Sequence, residues 1–286
     1  MHKDLRVVMV GCGDIGSRVA LLLYQQGCTV HGLRRNPSKL PAAIVPIAAD
    51  LSDPQCPADW PQQPIDYVVY VMAAQSMTEA GYQQAYVQGQ QHVYSWLAQH
   101  RQQPKRVIFV SSTSVYGQSD DSWVDEQSPT EPKRWSGQIM LDAEQYALSS
   151  GHPATVVRLS GIYGPDRNML IRQVRDGYHA PDLHHFTNRI HADDAASLIA
   201  TVVLADAQGQ AVESVYVGVD DAPVELAEVV TWLQQQLQVS SVAGLALQRR
   251  AGSKRCSNAR ARALGWTPQY SSFREGYALQ LANLQD

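Results

Sequence analysis

The sequence predicts an α/β fold, a doubly wound parallel sheet with helices on both faces, followed by a smaller lobe. Short apolar runs rich in Val and Ile alternate with segments of helical periodicity, and a glycine-rich turn follows the first run. This alternation changes near residue 163. We therefore expect a sheet domain over 1–162 and a smaller, interleaved lobe over 163–286, part of which returns to the sheet domain.

The expected strands are six apolar runs at residues 5–10, 29–33, 44–48, 67–72, 106–110 and 155–159. Apolar residues at helical spacing lie between them, first at Ile15, Val19, Leu22 and Leu23 and later in a segment that begins near Thr78. The smaller lobe is expected to be loop-like over 163–188, helical over 192–206, extended over 215–219 and helical over 224–237.

Composition and charge describe a globular chain, because 44% of its 286 residues are hydrophobic and only 17% are charged. The 23 Lys and Arg residues are outnumbered by 27 Asp and Glu residues, which argues against a nucleic-acid partner. The four cysteines form no CxxC pair and no zinc-ligand spacing with histidine, so we expect reduced thiols and no metal. Since no run suits a signal peptide or a membrane span, we expect a cytoplasmic protein with no membrane partner.

The first turn carries the strongest motif, the sequence GCGDIG at 11–16 between an expected strand and an amphipathic helix. Gly11 permits the tight turn, Gly13 lets the backbone approach a pyrophosphate, and Gly16 lets helix and strand pack closely. Asp14 and Ile15 open the helix, whose amino terminus attracts anions. A turn that merely needs glycine is the alternative, but the flanking strand and helix favour a dinucleotide site.

The end of the second expected strand bears on the choice between NAD and NADP. An NAD site has an acidic residue there, whereas this chain has Arg34 and Arg35. Two guanidinium groups suit the 2′-phosphate of NADP through charge-assisted hydrogen bonds. We therefore expect NADP. The alternative is that the two arginines belong to a solvated basic loop, in which case the coenzyme could be NAD.

Seven short motifs occur in order along the chain, namely GCGDIG (11–16), DL (50–51), VMAA (71–74), SSTSVYG (111–117), RLSGIYGP (158–165), RIHADD (189–194) and LGWTP (264–268). Together they resemble the extended short-chain dehydrogenase/reductase family, which includes nucleotide-sugar epimerases and dehydratases. The resemblance covers nearly the whole chain. It implies a Rossmann fold, a nicotinamide dinucleotide coenzyme and a small hydroxylated substrate.

The resemblance also assigns roles to individual residues. From the adenine to the nicotinamide of the coenzyme, it implies contacts with Asp50, Leu51, Ala73, Ala74, Ser160 and Ile162. Ser112 occupies the place of the Ser or Thr that hydrogen-bonds the reacting oxygen of the substrate. Arg189 and His191 are candidates for the wall of the substrate pocket, while Asp193 and Asp194 are expected to begin a helix.

The chain departs from the family at its catalytic pair, a tyrosine and a lysine four residues apart on one helix face. The stretch LDAE at 141–144 sets the register and puts Ser136 and Met140 at these two places. A serine hydroxyl is a far weaker acid than a phenol, and a thioether carries no charge. Ser136 stays a candidate catalytic residue and Met140 a coenzyme contact. Tyr86, where the family has an asparagine, or Tyr163 could supply a phenol instead.

Two functions remain open from the sequence. The first is an oxidoreductase, epimerase or dehydratase with altered proton-transfer groups, and it is favoured by the retained Ser112. The second is a non-catalytic NADP(H)-binding redox sensor or scaffold, and it is motivated by the missing pair. The resemblance further implies a homodimer in which helices over about 78–99 and 137–149 form a four-helix bundle.

Overall fold

The computed structural model describes residues 5–181, 184–248 and 252–284. Numbered in chain order, its strands are β1 (Arg6–Val10), β2 (Thr29–Arg34), β3 (Val45–Ala48), β4 (Tyr67–Tyr70), β5 (Arg106–Ser112), β6 (Trp123–Val124), β7 (Ala154–Leu159), β8 (Gly161–Tyr163), β9 (Phe186–Thr187), β10 (Arg189–His191), β11 (Val215–Gly218), β12 (Val224–Glu225) and β13 (Arg255–Cys256). Its α-helices are α1 (Asp14–Gln25), α2 (Glu79–Tyr82), α3 (Gly89–Gln99), α4 (Trp135–Leu148), α5 (Met169–Arg175), α6 (Ala192–Ala207), α7 (Leu226–Leu237), α8 (Ala259–Ala263) and α9 (Phe273–Ala282).

A seven-stranded sheet forms the centre of the molecule, in the order β11-β7-β5-β4-β1-β2-β3. All of its pairings are parallel. The chain moves outward from β1 to β3 and then returns to β4 on the other side, so the strand order reverses between β1 and β4. Ligands of such sheets bind beyond the carboxyl ends of the strands at this reversal. The sheet confirms the predicted doubly wound Rossmann fold.

Both faces of the sheet are covered, as the apolar runs predict for parallel strands. Successive side chains of a strand point to opposite faces, so Val7 and Met9 pack with α1 and α6 while Val8 and Val10 pack with α3 and α4. These four side chains are fully buried. The strands are therefore held rigidly, and their carboxyl ends form a fixed platform for a site.

The smaller lobe has a core of its own, built from α5, α7 and α9 around Leu233 and Phe273. The expectation of a loop throughout 163–188 is wrong, because α5 lies within it. This helix has only seven residues and is flanked by turn-forming residues, but it buries Ile171 and Val174 against the lobe core. In contrast, α6 packs on α1 and β11 pairs with β7, so this part of the chain belongs to the sheet domain.

The helix that follows β4 contains an irregular segment. α2 and α3 are joined by a π-helical segment, Gln83–Gln88, so the backbone stays helical from Glu79 to Gln99. A π-helical segment accommodates an extra residue in the helix and occurs often at functional sites. Here it buries Ala85 and Tyr86 on the side that faces the sheet.

The four cysteines, Cys12, Cys28, Cys56 and Cys256, are free thiols. Over the three described ranges, no helix is both long and apolar enough to span a bilayer. In the same ranges, no three His, Cys, Asp or Glu side chains are grouped to hold a metal ion.

Candidate functional site

Two adjoining cavities lie beyond the carboxyl ends of the central strands. The first cavity, of about 750 Å³, is bounded by the glycine turn, the end of β2 and the residues after β4. The second cavity, of about 580 Å³, lies between the end of β5 and the smaller lobe. Ser112, Ile162 and Arg167 line both cavities. A molecule in one cavity would therefore meet a molecule in the other at these three side chains.

The glycine turn is shaped to admit an anion to the first cavity. Gly11 has a φ of +90°, and a Cβ there would meet the carbonyl oxygen of Val71 at 2.7 Å. A Cβ at Gly16 would overlap the carbonyl oxygen of Gly11, whereas a Cβ at Gly13 would meet nothing within 4 Å. α1 then begins without a side-chain cap, which leaves its first N–H groups for a ligand. This cradle fits the pyrophosphate of a dinucleotide.

A chain of four charges surrounds the start of α1. Asp14 pairs with Arg18 at 2.8 Å and with Arg167 at 3.0 Å, and Arg18 also pairs with Asp193. Partial burial opposes ionisation, but hydrogen bonds and charges from the two arginines hold the pKa of Asp14 below its ordinary value. Asp14 is thus a carboxylate with two guanidinium partners. Sequence reasoning missed Arg167, which lies two residues after the end of the motif RLSGIYGP (158–165).

Arg34 and Arg35 both line the first cavity, in different ways. Arg34 is half-buried, and its Nη1 donates to the carbonyl oxygens of Cys12 at 3.3 Å and Lys39 at 3.4 Å. Arg35 is exposed, and its Nη1 donates to Oε1 of Gln75 at 2.7 Å. Arg34 therefore supports the glycine turn, while Arg35 presents the more accessible guanidinium group.

Most of the other expected coenzyme contacts lie in the lining of the first cavity, namely Ile15, Asp50, Leu51, Ala73, Met140, Ser160 and Ile162. Asp50 is exposed, and hydrogen bonds from Ser52 lower its pKa, so it is ionised. Oγ of Ser160 is buried and has no hydrogen-bond partner among the described residues. Ala74 lines neither cavity; it packs against the hydrophobic core.

Ser112 ends β5 at the boundary between the cavities. Its Oγ accepts a hydrogen bond of 3.1 Å from the N–H of Ser114, which turns the chain into a short 3₁₀ helix. The hydroxyl proton of Ser112 thus remains to be donated to a ligand. Ser136, the other expected catalytic serine, lies in the first turn of α4, is half-buried and lines neither cavity.

A buried polar network holds the end of β5 against α4. Glu144 accepts a hydrogen bond from Ser111 and pairs with Arg158 at 2.7 Å, and Arg158 donates to the phenol of Tyr116 at 2.9 Å. All four side chains are buried. Buried charges require such partners, so the network fixes the backbone next to Ser112. Tyr116 lies outside both cavities and has a structural role.

Two other tyrosines reach the cavities. Tyr86, in the π-helical segment, lines the first cavity, and its Oη accepts a hydrogen bond of 3.3 Å from the N–H of Ala74. Tyr163 lines the second cavity, where its ring packs against Tyr277. Burial raises the pKa of both Tyr86 and Tyr163 above the ordinary value. Both phenols therefore stay protonated at neutral pH.

The wall of the second cavity includes Arg189 and Lys254. Arg189 donates to Oγ1 of Thr187 at 2.6 Å, and its charge acts on the buried carboxyl of Asp220. Burial nevertheless raises the pKa of Asp220 to about 7. His191, the other expected wall residue, lines neither cavity; its Nδ1 accepts a hydrogen bond from the N–H of Asp193 at the start of α6. Sequence reasoning missed Lys254.

Known proteins share this architecture. The chain matches the sequence profile of the NAD dependent epimerase/dehydratase family over residues 7–218. A provisionally assigned NAD-dependent epimerase/dehydratase from Methylobacillus flagellatus is 33% identical to it, with 99% of each chain covered and a TM-score of 0.81. A search of curated protein sequences gives no match.

Two more distant structures show the same fold. The UDP-glucose 4-epimerase of Thermus thermophilus, solved with NAD, is 18% identical, with 95% of this chain and 96% of that chain covered and a TM-score of 0.76. MoeE5 in complex with UDP-glucuronic acid and NAD is 22% identical, with 96% of each chain covered and a TM-score of 0.74. The profile match and the 33% identical structure establish that this chain belongs to the NAD-dependent epimerase/dehydratase family and is an enzyme of that kind.

Proposed function

We propose that the protein is an NADP(H)-dependent epimerase, dehydratase or reductase that acts on a small hydroxylated substrate, with sugar nucleotides as the first class to test. One observation carries this proposal, the position of Ser112 where the two cavities meet. The first cavity would hold the coenzyme and the second the substrate. A nicotinamide dinucleotide supplies hydride transfer when bound.

The residues of the first cavity suit each part of such a coenzyme. The open space at Gly13 and the uncapped start of α1 would hold the pyrophosphate. Asp50 and Leu51, which also line this cavity, would meet the adenine. The buried hydroxyl of Ser160 lacks a partner among the described residues and would meet the polar carboxamide at the nicotinamide end.

Arg35 supports NADP over NAD. It is exposed at the end of β2 and carries the positive charge that a 2′-phosphate would need. A charged hydrogen-bond pair contributes roughly 1.5–3 kcal/mol, so we expect NADPH to bind about ten- to a hundred-fold more tightly than NADH. Two structures with the same fold contain NAD, so the preference of this chain for NADPH has to be measured directly.

Parallel titration with NADPH and NADH tests the coenzyme assignment. Arg35→Ser should remove most of the preference by weakening NADPH binding and leaving NADH binding unchanged. Arg175→Ser, which removes an exposed arginine of α5, is the matched control and should leave both affinities unchanged. Equal affinities in the unsubstituted protein would refute the assignment to NADP.

In the reaction, Ser112 would donate its hydroxyl proton in a hydrogen bond to the reacting oxygen of the substrate. Its Oγ already accepts a hydrogen bond from the N–H of Ser114, and this bond leaves the hydroxyl proton free to be donated. No Tyr–Lys pair is available at Ser136 and Met140 to move the proton. Turnover of alcohols, ketones and sugar nucleotides should therefore fall strongly in Ser112→Ala while NADPH binding persists. A loss confined to Ser136→Ala would transfer the role to that serine. Tight NADPH binding without any turnover would favour a redox sensor or scaffold.

We further propose a cytoplasmic homodimer formed through α2, α3 and α4. Trp135 and Tyr82 support this surface, because their rings meet edge to face at 5.1 Å and the tryptophan is still 39% exposed. Light scattering during size exclusion should give twice the chain mass of 31.5 kDa. A value equal to the chain mass would exclude the dimer.

A further inference from the structure

Tyr86 lines the first cavity although it is only 8% exposed. Its Oη accepts a hydrogen bond of 3.3 Å from the N–H of Ala74. Among the residues that the structure describes, no group accepts the hydrogen of this hydroxyl. Burial raises the pKa of Tyr86 above its ordinary value, so the hydrogen is present at neutral pH. The described part of the chain thus leaves Tyr86 with a hydrogen to donate to a ligand.

Two buried side chains stabilise the π-helical segment, Gln83–Gln88, that carries Tyr86. The carbonyl oxygen of Ala85 accepts a hydrogen bond from Oη of Tyr70. The carbonyl oxygen of Tyr86 accepts one of 2.6 Å from Nε2 of Gln90. Buried carbonyl groups need such partners, so the irregular backbone is held in one conformation. The ring of Tyr86 is thereby fixed beside the cavity, in a type of segment that occurs often at functional sites.

The order of the strands indicates which part of the coenzyme would lie beside Tyr86. Neighbouring strands follow in the order β2, β1, β4 and β5, and all are parallel, so their carboxyl ends form a row. The glycine turn follows β1 and would hold the pyrophosphate, whereas Ser112 ends β5 and would meet the reacting part of the substrate. Ala74, which bonds to Oη of Tyr86, follows β4, the strand between them. In a nicotinamide dinucleotide a ribose joins the pyrophosphate to the nicotinamide, so this ribose would lie beside Tyr86.

The lining contributed by α4 and by the ends of β4, β5 and β7 offers this ribose few other hydrogen-bond donors. Most of its side chains are apolar, namely Val71, Met72, Ala73, Val110, Met140 and Leu159. Ser111 already donates to Glu144. Ser112 and Ser160 are assigned to the substrate and to the nicotinamide carboxamide. Tyr86 is therefore the described side chain in this part of the cavity whose hydroxyl hydrogen remains for the ribose.

We infer that Tyr86 is a coenzyme-orienting residue, whose hydroxyl donates a hydrogen bond to a hydroxyl group of the ribose that carries the nicotinamide. This inference rests on the proposed function, in which the first cavity holds the coenzyme. A ribose hydroxyl can accept such a hydrogen. Because the backbone of Tyr86 is fixed, the bond would set the position of the nicotinamide nucleoside relative to Ser112.

The first test titrates three ligands calorimetrically, namely NADPH, 2′-phospho-ADP-ribose, which lacks the nicotinamide ring, and 2′,5′-ADP, which also lacks the second ribose. NADH, ADP-ribose and ADP form a parallel series, so the result does not depend on which coenzyme the chain prefers. Tyr86→Phe keeps the ring and should weaken the two ligands with the second ribose about three- to ten-fold, while the third binds unchanged. Tyr82→Phe, whose ring meets that of Tyr86 edge to face at 5.2 Å but lines neither cavity, is the matched control and should change none of the affinities.

A second test removes the acceptor instead of the donor, which separates a direct contact from a merely structural role. Two NADPH analogues lack either the 2′- or the 3′-hydroxyl of the ribose that carries the nicotinamide. The unsubstituted protein should bind one of them less tightly than NADPH, whereas Tyr86→Phe should bind that analogue and NADPH equally well. The inference is overturned if Tyr86→Phe keeps the same discrimination, or if it weakens 2′,5′-ADP as much as NADPH. If the unsubstituted protein binds neither NADPH nor NADH, the proposed function fails and the inference falls with it.

Discussion

The buried carboxyl of Asp220 allows a quantitative test of the electrostatics behind the second cavity. Asp220 is 3% exposed, and burial raises its pKa to about 7 despite the charge of Arg189. The variant Asp220→Asn has the same shape and cannot ionise. Its Oδ1 still accepts the hydrogen bond of 3.2 Å from the N–H of Ala222. The substitution therefore removes the cost of ionising this carboxyl inside the protein.

The size and sign of the effect follow from proton linkage. Because the pKa is raised from 3.8 to about 7 by folding, the folded protein binds more protons than the unfolded chain between these values. The contribution of Asp220 to stability is therefore complete below about pH 4 and falls as the pH rises through about 7. At roughly 1.4 kcal/mol per pKa unit the full loss is about 4 kcal/mol, of which about 2.5 kcal/mol arises between pH 5 and pH 8.

Urea unfolding of the protein and of Asp220→Asn at pH 5, 6, 7 and 8 measures this loss directly. The stability advantage of the variant should grow by about 2.5 kcal/mol across the series, equivalent to about 4 °C in Tm for a chain of this length. Asp59→Asn, at an exposed position whose charge is not among those acting on Asp220, is the control, and only growth in excess of the control counts. An advantage that stays constant from pH 5 to pH 8 would mean that Arg189 keeps Asp220 ionised throughout, and the reasoning would fail.

The remaining predictions concern the glycine turn and the buried network. Gly13→Ala places a methyl group in open space, so Tm should be unchanged while NADPH affinity falls about ten-fold or more. Gly16→Ala overlaps the carbonyl oxygen of Gly11 and should lower the free energy of unfolding by about 1–3 kcal/mol; equal Tm values for the two variants would contradict this assignment. Glu144→Gln leaves Arg158 buried without its partner and should cost about 3–5 kcal/mol in urea unfolding, whereas a cost below 1 kcal/mol would show that the network is dispensable.

The parts of the site that follow directly on strands were predictable from the sequence. The glycine turn, Arg34 and Ser112 each lie at or just after the carboxyl end of a strand, and the strands themselves are marked by apolar runs. Parallel strands bring their carboxyl ends to one edge of the sheet. Knowing the order of the runs was therefore enough to expect these residues near one another.

The parts that depend on contacts distant in sequence were not predictable. Arg167 pairs with Asp14 across 153 positions of the chain. Lys254 lines the second cavity, and its carbonyl oxygen accepts a hydrogen bond from Asn188, 66 positions away. No local pattern marks such contacts. The π-helical segment at Tyr86 was missed for a different reason, because an extra residue within a turn breaks the periodicity used to recognise helices.

The position of Arg167 would couple the affinities of the two cavities for their ligands. Its side chain lines both cavities and pairs with Asp14 at the start of α1, where the pyrophosphate would lie. Any ligand that draws Arg167 away from Asp14 changes the charge that the other cavity presents. Such coupling is reciprocal, so whatever factor the first ligand imposes on the affinity of the second, the second imposes on the first. A single guanidinium group would thus make the two binding equilibria interdependent without any movement of the sheet.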